Sequence, residues 1–96
     1  MVRIMARISA LAGRETQLQS VLQDLVGPSR NEAGCVNYEL FQNEDNPLEF
    51  VTIEQWSDQA AVDAHLATPH VGAAIARASE LLAQPPLIHR FRQVIG

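Results

Sequence analysis

Two stretches of alternating polarity, residues 35–42 and 48–56, are separated only by Asn43-Glu44-Asp45-Asn46-Pro47, a polar cluster of loop-forming residues. So short a connection makes an antiparallel hairpin, because parallel neighbours need a crossover of about a dozen residues or more. In the second run Phe50, Thr52, Glu54 and Trp56 share one face, and Val51, Ile53 and Gln55 share the other. In the first, Val36, Tyr38 and Leu40 oppose Cys35, Asn37, Glu39 and Phe41. Both faces carry apolar groups, so neither side of the sheet is expected to be fully wet.

The segments around this hairpin complete the architecture. Residues 2–9 alternate apolar side chains with Arg or Ser, as a half-buried strand does. Gly13 and Arg14 open a helix whose Leu18, Val21, Leu22 and Leu25 form one stripe, and Gly27-Pro28 is expected to end or interrupt it. Residues 29–34 read as a last helical turn closed by Gly34. Ser57 or Asp58 caps a short helix reaching His65 or Leu66, and Thr68-Pro69 starts another with Thr at the cap and Pro at its first position. Gln84-Pro85-Pro86 stops that helix, and residues 87–95 form a final strand. The order β-α-β-β-α-β is that of the ferredoxin-like α+β fold, one domain over residues 1–96. Helices on one face leave the other face of four strands bare, and packing it on a twin makes a homodimer the expected assembly.

Composition removes several functions. With a net charge of -4 and no basic run, nucleic acid is not the expected partner. All seven basic residues are Arg, so no lysine amine is available for Schiff-base chemistry. The lone Cys35 closes no internal disulfide and builds no thiolate cage; at a strand start after Gly34 it reads as a small apolar residue. No run of about 18 apolar residues offers a membrane span. Residues 1–8 read as a strand rather than an export signal, which places the expected location in the cytoplasm.

Chemistry concentrates in residues 51–58 and 65–70, which hold the only Trp and two of the three His. A Glu within an apolar strand needs a partner, since an unpaired buried carboxylate is costly. His65 and His70, five apart across Thr68-Pro69, are not on one helix face at i, i+4, but the bend between them could aim both at Glu54. Imidazole has nearly the intrinsic pKa of a general base at neutral pH, and a carboxylate beside it orients the ring. His65, His70 and Glu54 are therefore the candidate catalytic residues, with a structural hydrogen bond as the plainer role for Glu54. Trp56 would wall a cleft with Thr52, Phe50 and Tyr38 as substrate-binding neighbours, its indole stacking on a flat ligand. The two His with Glu54 could imitate an iron-binding facial triad, but no metal is expected. His89, Arg90 and Arg92 on the last strand are expected to be solvated or to lie in the dimer interface.

At Ser29-Arg30-Asn31-Glu32-Ala33-Gly34-Cys35-Val36-Asn37-Tyr38, Phe50-Val51-Thr52-Ile53-Glu54-Gln55-Trp56 and Ala64-His65-Leu66-Ala67-Thr68-Pro69-His70, the chain resembles the antibiotic biosynthesis monooxygenase superfamily, in its small quinol-monooxygenase-like branch. The resemblance implies a dimeric α+β barrel and the oxidation of a phenol or quinol by dioxygen without flavin, haem or metal. The protein would deprotonate the substrate, and the anion itself would reduce oxygen. The chain departs from that superfamily at two positions: Thr52 stands where the polyketide-tailoring members have Asn, and Val62 where they have Tyr. Its first strand, with Val2, Ile4 and Ala6, also lacks the Asn of the haem-degrading branch. The expected function is cofactor-independent oxygenation of a quinol or small phenol. Isomerisation of a small carbonyl or sugar-phosphate-like compound through an enediol, or aromatic-ligand binding without turnover, are the alternatives.

Overall fold

The computed structural model describes residues 1–96. Its elements run β1 (Val2–Ser9), α1 (Glu15–Arg30), β2 (Cys35–Gln42), β3 (Glu49–Trp56), α2 (Gln59–Leu66), α3 (Pro69–Ala78) and β4 (Leu87–Phe91). The four strands form one antiparallel sheet in the order β2-β3-β1-β4, the ferredoxin-like arrangement.

Register sets which residues share the helix-covered face. Val2 lies opposite Trp56, Ile4 opposite Glu54, Ala6 opposite Thr52 and Ile8 opposite Phe50, so β1 and β3 present one continuous buried layer. Tyr38 of β2 pairs with Glu54 from the other side. Leu18, Val21 and Leu22 of α1 pack on Ile8 and Phe50 with Ala74 and Ala78 of α3, forming the main core. A second cluster gathers Ile4, Tyr38, Trp56 and Val62 at the opposite end. The functional groups sit at that second end.

Capping follows the local chemistry. Asp58 starts α2 by accepting from the Ala61 amide at 2.8 Å, and Thr68 accepts from Val71 at 3.4 Å with Pro69 in the first turn of α3. Gly13 turns the chain into α1 at φ +86°, a conformation open to glycine at little cost.

Two boundaries differ from the sequence expectation. α1 continues through Gly27-Pro28 to Arg30. Pro28 gives up only its own amide bond, while Ser29 is fully buried and Arg30 Nε donates to the Tyr38 carbonyl at 3.0 Å, so the final turn remains tied to β2. The last strand ends at Phe91 rather than residue 95, because β1 offers it partners only from Arg3 to Arg7.

The far face of the sheet has no helical cover. Phe41, Ile53, Leu87 and Phe91 are exposed there, beside Arg3, Arg7 and His89. No helix is long and apolar enough to cross a membrane.

Candidate functional site

β3 delivers Thr52, Glu54 and Trp56 at two-residue intervals onto the buried face, and their polar atoms meet one another. The Glu54 carboxylate accepts from Thr52 Oγ1 at 2.6 Å on one oxygen and from Trp56 Nε1 at 2.9 Å on the other. Trp56 is completely buried and Glu54 nearly so. The acid in the strand thus finds its partners on its own strand, two residues to either side, and not at the histidines.

The histidines pair with a different acid. His65 Nδ1 lies 2.6 Å from Glu32 Oε2, and His70 Nε2 lies 2.8 Å from the same oxygen. Glu32 stands in the turn between α1 and β2, His65 near the end of α2 and His70 at the start of α3. The turn is brought there by the hairpin register: Cys35 pairs with Trp56, so the residues just before β2 lie beside those just after β3. The Ser57 amide donates to the Gly34 carbonyl at 2.8 Å and closes this corner. The expected Glu54–histidine pair is therefore corrected to a Glu32–histidine pair. Sequence alone did carry a signal for Glu32, because an antiparallel hairpin always places the approach to its first strand beside the exit from its second.

A carboxylate only accepts, so the contacts put N–H on Nδ1 of His65 and on Nε2 of His70. In neutral His65 that leaves Nε2 with a free lone pair, and Nε2 has no hydrogen-bond partner in the protein. The ring is stacked at 4.5 Å on Trp56 with a 38° tilt and lies 5.7 Å from the Tyr38 ring. Trp56 and Glu32 together hold the buried His65 imidazole. Thr68 Oγ1 donates to the His65 carbonyl at 2.7 Å and fixes the backbone at the helix break.

His65, Tyr38, Thr52 and Glu54 line one cavity of about 270 Å³ between the sheet and the helices, and Ile4, Val62, Leu66, Val71 and Ile88 are among its apolar walls. Trp56 and Phe50, expected to face ligand, do not line it. Trp56 backs His65 from behind, and Phe50 belongs to the main core. His70 is likewise outside the cavity wall. Tyr38 is held protonated: burial pushes its phenol well above the ordinary value, and the Glu54 carboxylate adds to the effect. Burial, with the carboxylates of Glu32 and Glu54 behind it, also raises the Cys35 thiol and keeps it a poor nucleophile. A larger depression of about 790 Å³, lined by Arg3, Gln55, Gln59, Arg90 and Arg92, contains none of these groups; the mainly apolar cavity with its few convergent polar side chains is the better candidate.

The antibiotic biosynthesis monooxygenase family profile matches residues 1–77. This chain belongs to that family. YcnE of Bacillus subtilis (strain 168), whose name marks it as a candidate monooxygenase, is 34% identical over 85 residues, covering 88% of this chain and 90% of that protein. The solved structure of PA3566 from Pseudomonas aeruginosa superposes with a TM-score of 0.92 at 34% identity, covering 98% of this chain and 94% of that one. The structure of Rv0793 from Mycobacterium tuberculosis gives 0.91 at 27% identity, covering 99% of this chain and 96% of that one. The chain spans 60% of the length of another relative, sll1783 of Synechocystis, at 27% identity over 93% of this chain. Family membership and the names of YcnE and Rv0793, both of which mark candidate monooxygenases, support a monooxygenase-like function.

Proposed function

We propose that this family member oxidises a quinol or small phenol with dioxygen in the cavity beneath α2 and α3, without a cofactor, with His65 as the base. The observation that carries this reading is the Glu32–His65 contact at 2.6 Å, which reserves the other ring nitrogen as a proton acceptor beside an apolar chamber. Removal of the substrate proton leaves an electron-rich anion able to pass electrons to oxygen, while Glu32 stabilises the imidazolium so formed. The Glu54 carboxylate, bonded to Thr52 and Trp56, is a second acceptor on the cavity wall and suits a substrate with two hydroxyl groups. The apolar walls limit water around the reacting anion. A second copy packed on the exposed sheet face, over Phe41, Ile53 and Phe91, completes the assembly in this reading.

The test is oxygen uptake by metal-free protein with a panel of quinols, corrected for spontaneous autoxidation. His65→Ala should lower the protein-dependent rate by about 10²–10⁴, the usual contribution of a positioned general base. Uptake equal to the protein-free control, or unchanged in His65→Ala, contradicts the assignment. Proton exchange at carbon in ketose-type substrates without uptake would point to enediol isomerisation instead.

A further inference from the structure

One group is left unused by the proton-transfer reading. A single N–H contact suffices to orient His65, yet His70 is brought from a different helix to the same oxygen of the same carboxylate and lines no part of the cavity. Glu32 Oε2, His65 Nδ1 and His70 Nε2 all lie within 4.8 Å of one another. We propose that Glu32, His65 and His70 form a binding site for a borderline divalent transition ion such as Zn²⁺ or Co²⁺, and that an ion there switches off His65 as a base.

The donor set is one carboxylate and two imidazoles, the combination that suits late first-row ions; the hard ions Mg²⁺ and Ca²⁺ favour all-oxygen sites. Ligand bonds of about 2.0–2.2 Å place neighbouring donors about 2.9 Å apart at a right angle and about 3.3 Å apart in a tetrahedron. To reach the tetrahedral set, the two oxygen–nitrogen separations of 2.6 and 2.8 Å open by about 0.5–0.7 Å and the two ring nitrogens, within 4.8 Å of each other, settle about 3.3 Å apart. Glu32 Oε1 makes no hydrogen bond in the protein, so the carboxylate has a second donor in reserve. Access is provided by the side chains of Glu32 and His70, which are 15% and 25% exposed, against 6% for His65.

The consequence for catalysis rests on the function proposed above. An ion on Nδ1 occupies the lone pair formed when that nitrogen gives up its proton, and the neutral ring then carries its proton on Nε2. The nitrogen that accepts a proton in the metal-free protein becomes a donor. Occupancy of the site and base catalysis by His65 therefore exclude each other.

The measurement uses chelator-dialysed full-length protein, with no substrate present. Titration with Co²⁺, followed by visible absorption, and with Zn²⁺, followed by calorimetry, should both end at one ion per chain. Glu32→Gln and His70→Gln should each weaken binding at least tenfold; the partly exposed His70 makes the second variant the safer one for folding. No binding by the wild-type protein, or equal binding by the folded variants, overturns the site. Where quinol-dependent uptake is measured, saturating Zn²⁺ should reduce it at least tenfold, and uptake unaffected by a bound ion overturns the switch. Because ion binding is read without turnover, an absence of oxygenase activity leaves the test of the site itself intact.

Discussion

Replacing Gly34 with Ala tests whether the turn carrying Glu32 is docked as closely on α2 as the site requires. A Cβ on Gly34 would lie 2.2 Å from the Ala61 Cβ, 3.0 Å from Ser57 Oγ and 3.5 Å from the Ala61 Cα. Carbon atoms in good contact sit about 3.5–4.0 Å apart, so turn and helix must separate by more than about 1 Å. The obstacle is a methyl fixed to a helix backbone, with no flexible tip that can swing aside, which places the cost near the top of the usual overpacking range, about 3 kcal/mol. For a domain of this size that corresponds to a Tm lower by about 12 °C or more. The same displacement strains the Ser57 amide–Gly34 carbonyl bond and moves α2, with His65 one turn beyond Ala61, away from Glu32. Urea unfolding followed by fluorescence of the single Trp56 gives the free energy directly. Ala61→Gly alone should cost about 1 kcal/mol through helix propensity. In the Gly34→Ala background it should instead restore about 1–2 kcal/mol, a coupling of about 2–3 kcal/mol, within the range for residues in direct contact. A Gly34→Ala protein within 0.5 kcal/mol of wild type, or one that Ala61→Gly does not rescue, would refute the close approach.

Two other outcomes follow from the buried and bare faces of the sheet. Tyr38 is the only tyrosine, so absorbance near 295 nm should show no tyrosinate in the folded protein at pH 10.5, where the unfolded chain ionises at about 10. Its folded pKa is raised, so the associated stability is complete below pH ~10 and declines as pH climbs above it; ionisation in the folded state near pH 10 would contradict the burial of Tyr38. The wild type should sediment as a dimer in analytical ultracentrifugation, and Phe91→Asp should leave the helix-covered core unchanged and give a monomer. A monomeric wild type, or a dimeric variant, would remove the sheet face as the interface.

Element order, strand faces and the two helix caps near the site were all readable from periodicity and local chemistry. Trp56, Glu54, Thr52 and Phe50 share a face because a strand repeats every two residues, and the structure keeps them there. Glu54 takes its partners from its own strand and not from the distant histidines the sequence offered. Side chains at i±2 on one strand are near neighbours, and Thr52 and Trp56 already supply two donors. Glu32 was harder to see, since its meeting with His65 and His70 depends on hairpin register and on the angle between α2 and α3, neither of which is a local property. The run of α1 past Pro28 likewise depends on tertiary contacts, the burial of Ser29 and the Arg30–Tyr38 bond, which outweigh one missing amide. Composition could not show that Trp56 stands behind His65 instead of facing the cavity, because both positions are equally apolar.

The central claim is that Glu32 fixes the ring proton of His65 on Nδ1 and leaves Nε2 free. Long-range ¹⁵N–¹H correlation spectra of metal-free, ¹⁵N-labelled protein, recorded at a pH where the imidazole ring is neutral, read that directly. The account predicts a protonated Nδ1 and an unprotonated Nε2 for His65, with the preference lost in Glu32→Ala. A His65 carrying its proton on Nε2, or one whose tautomer is indifferent to Glu32, would contradict it.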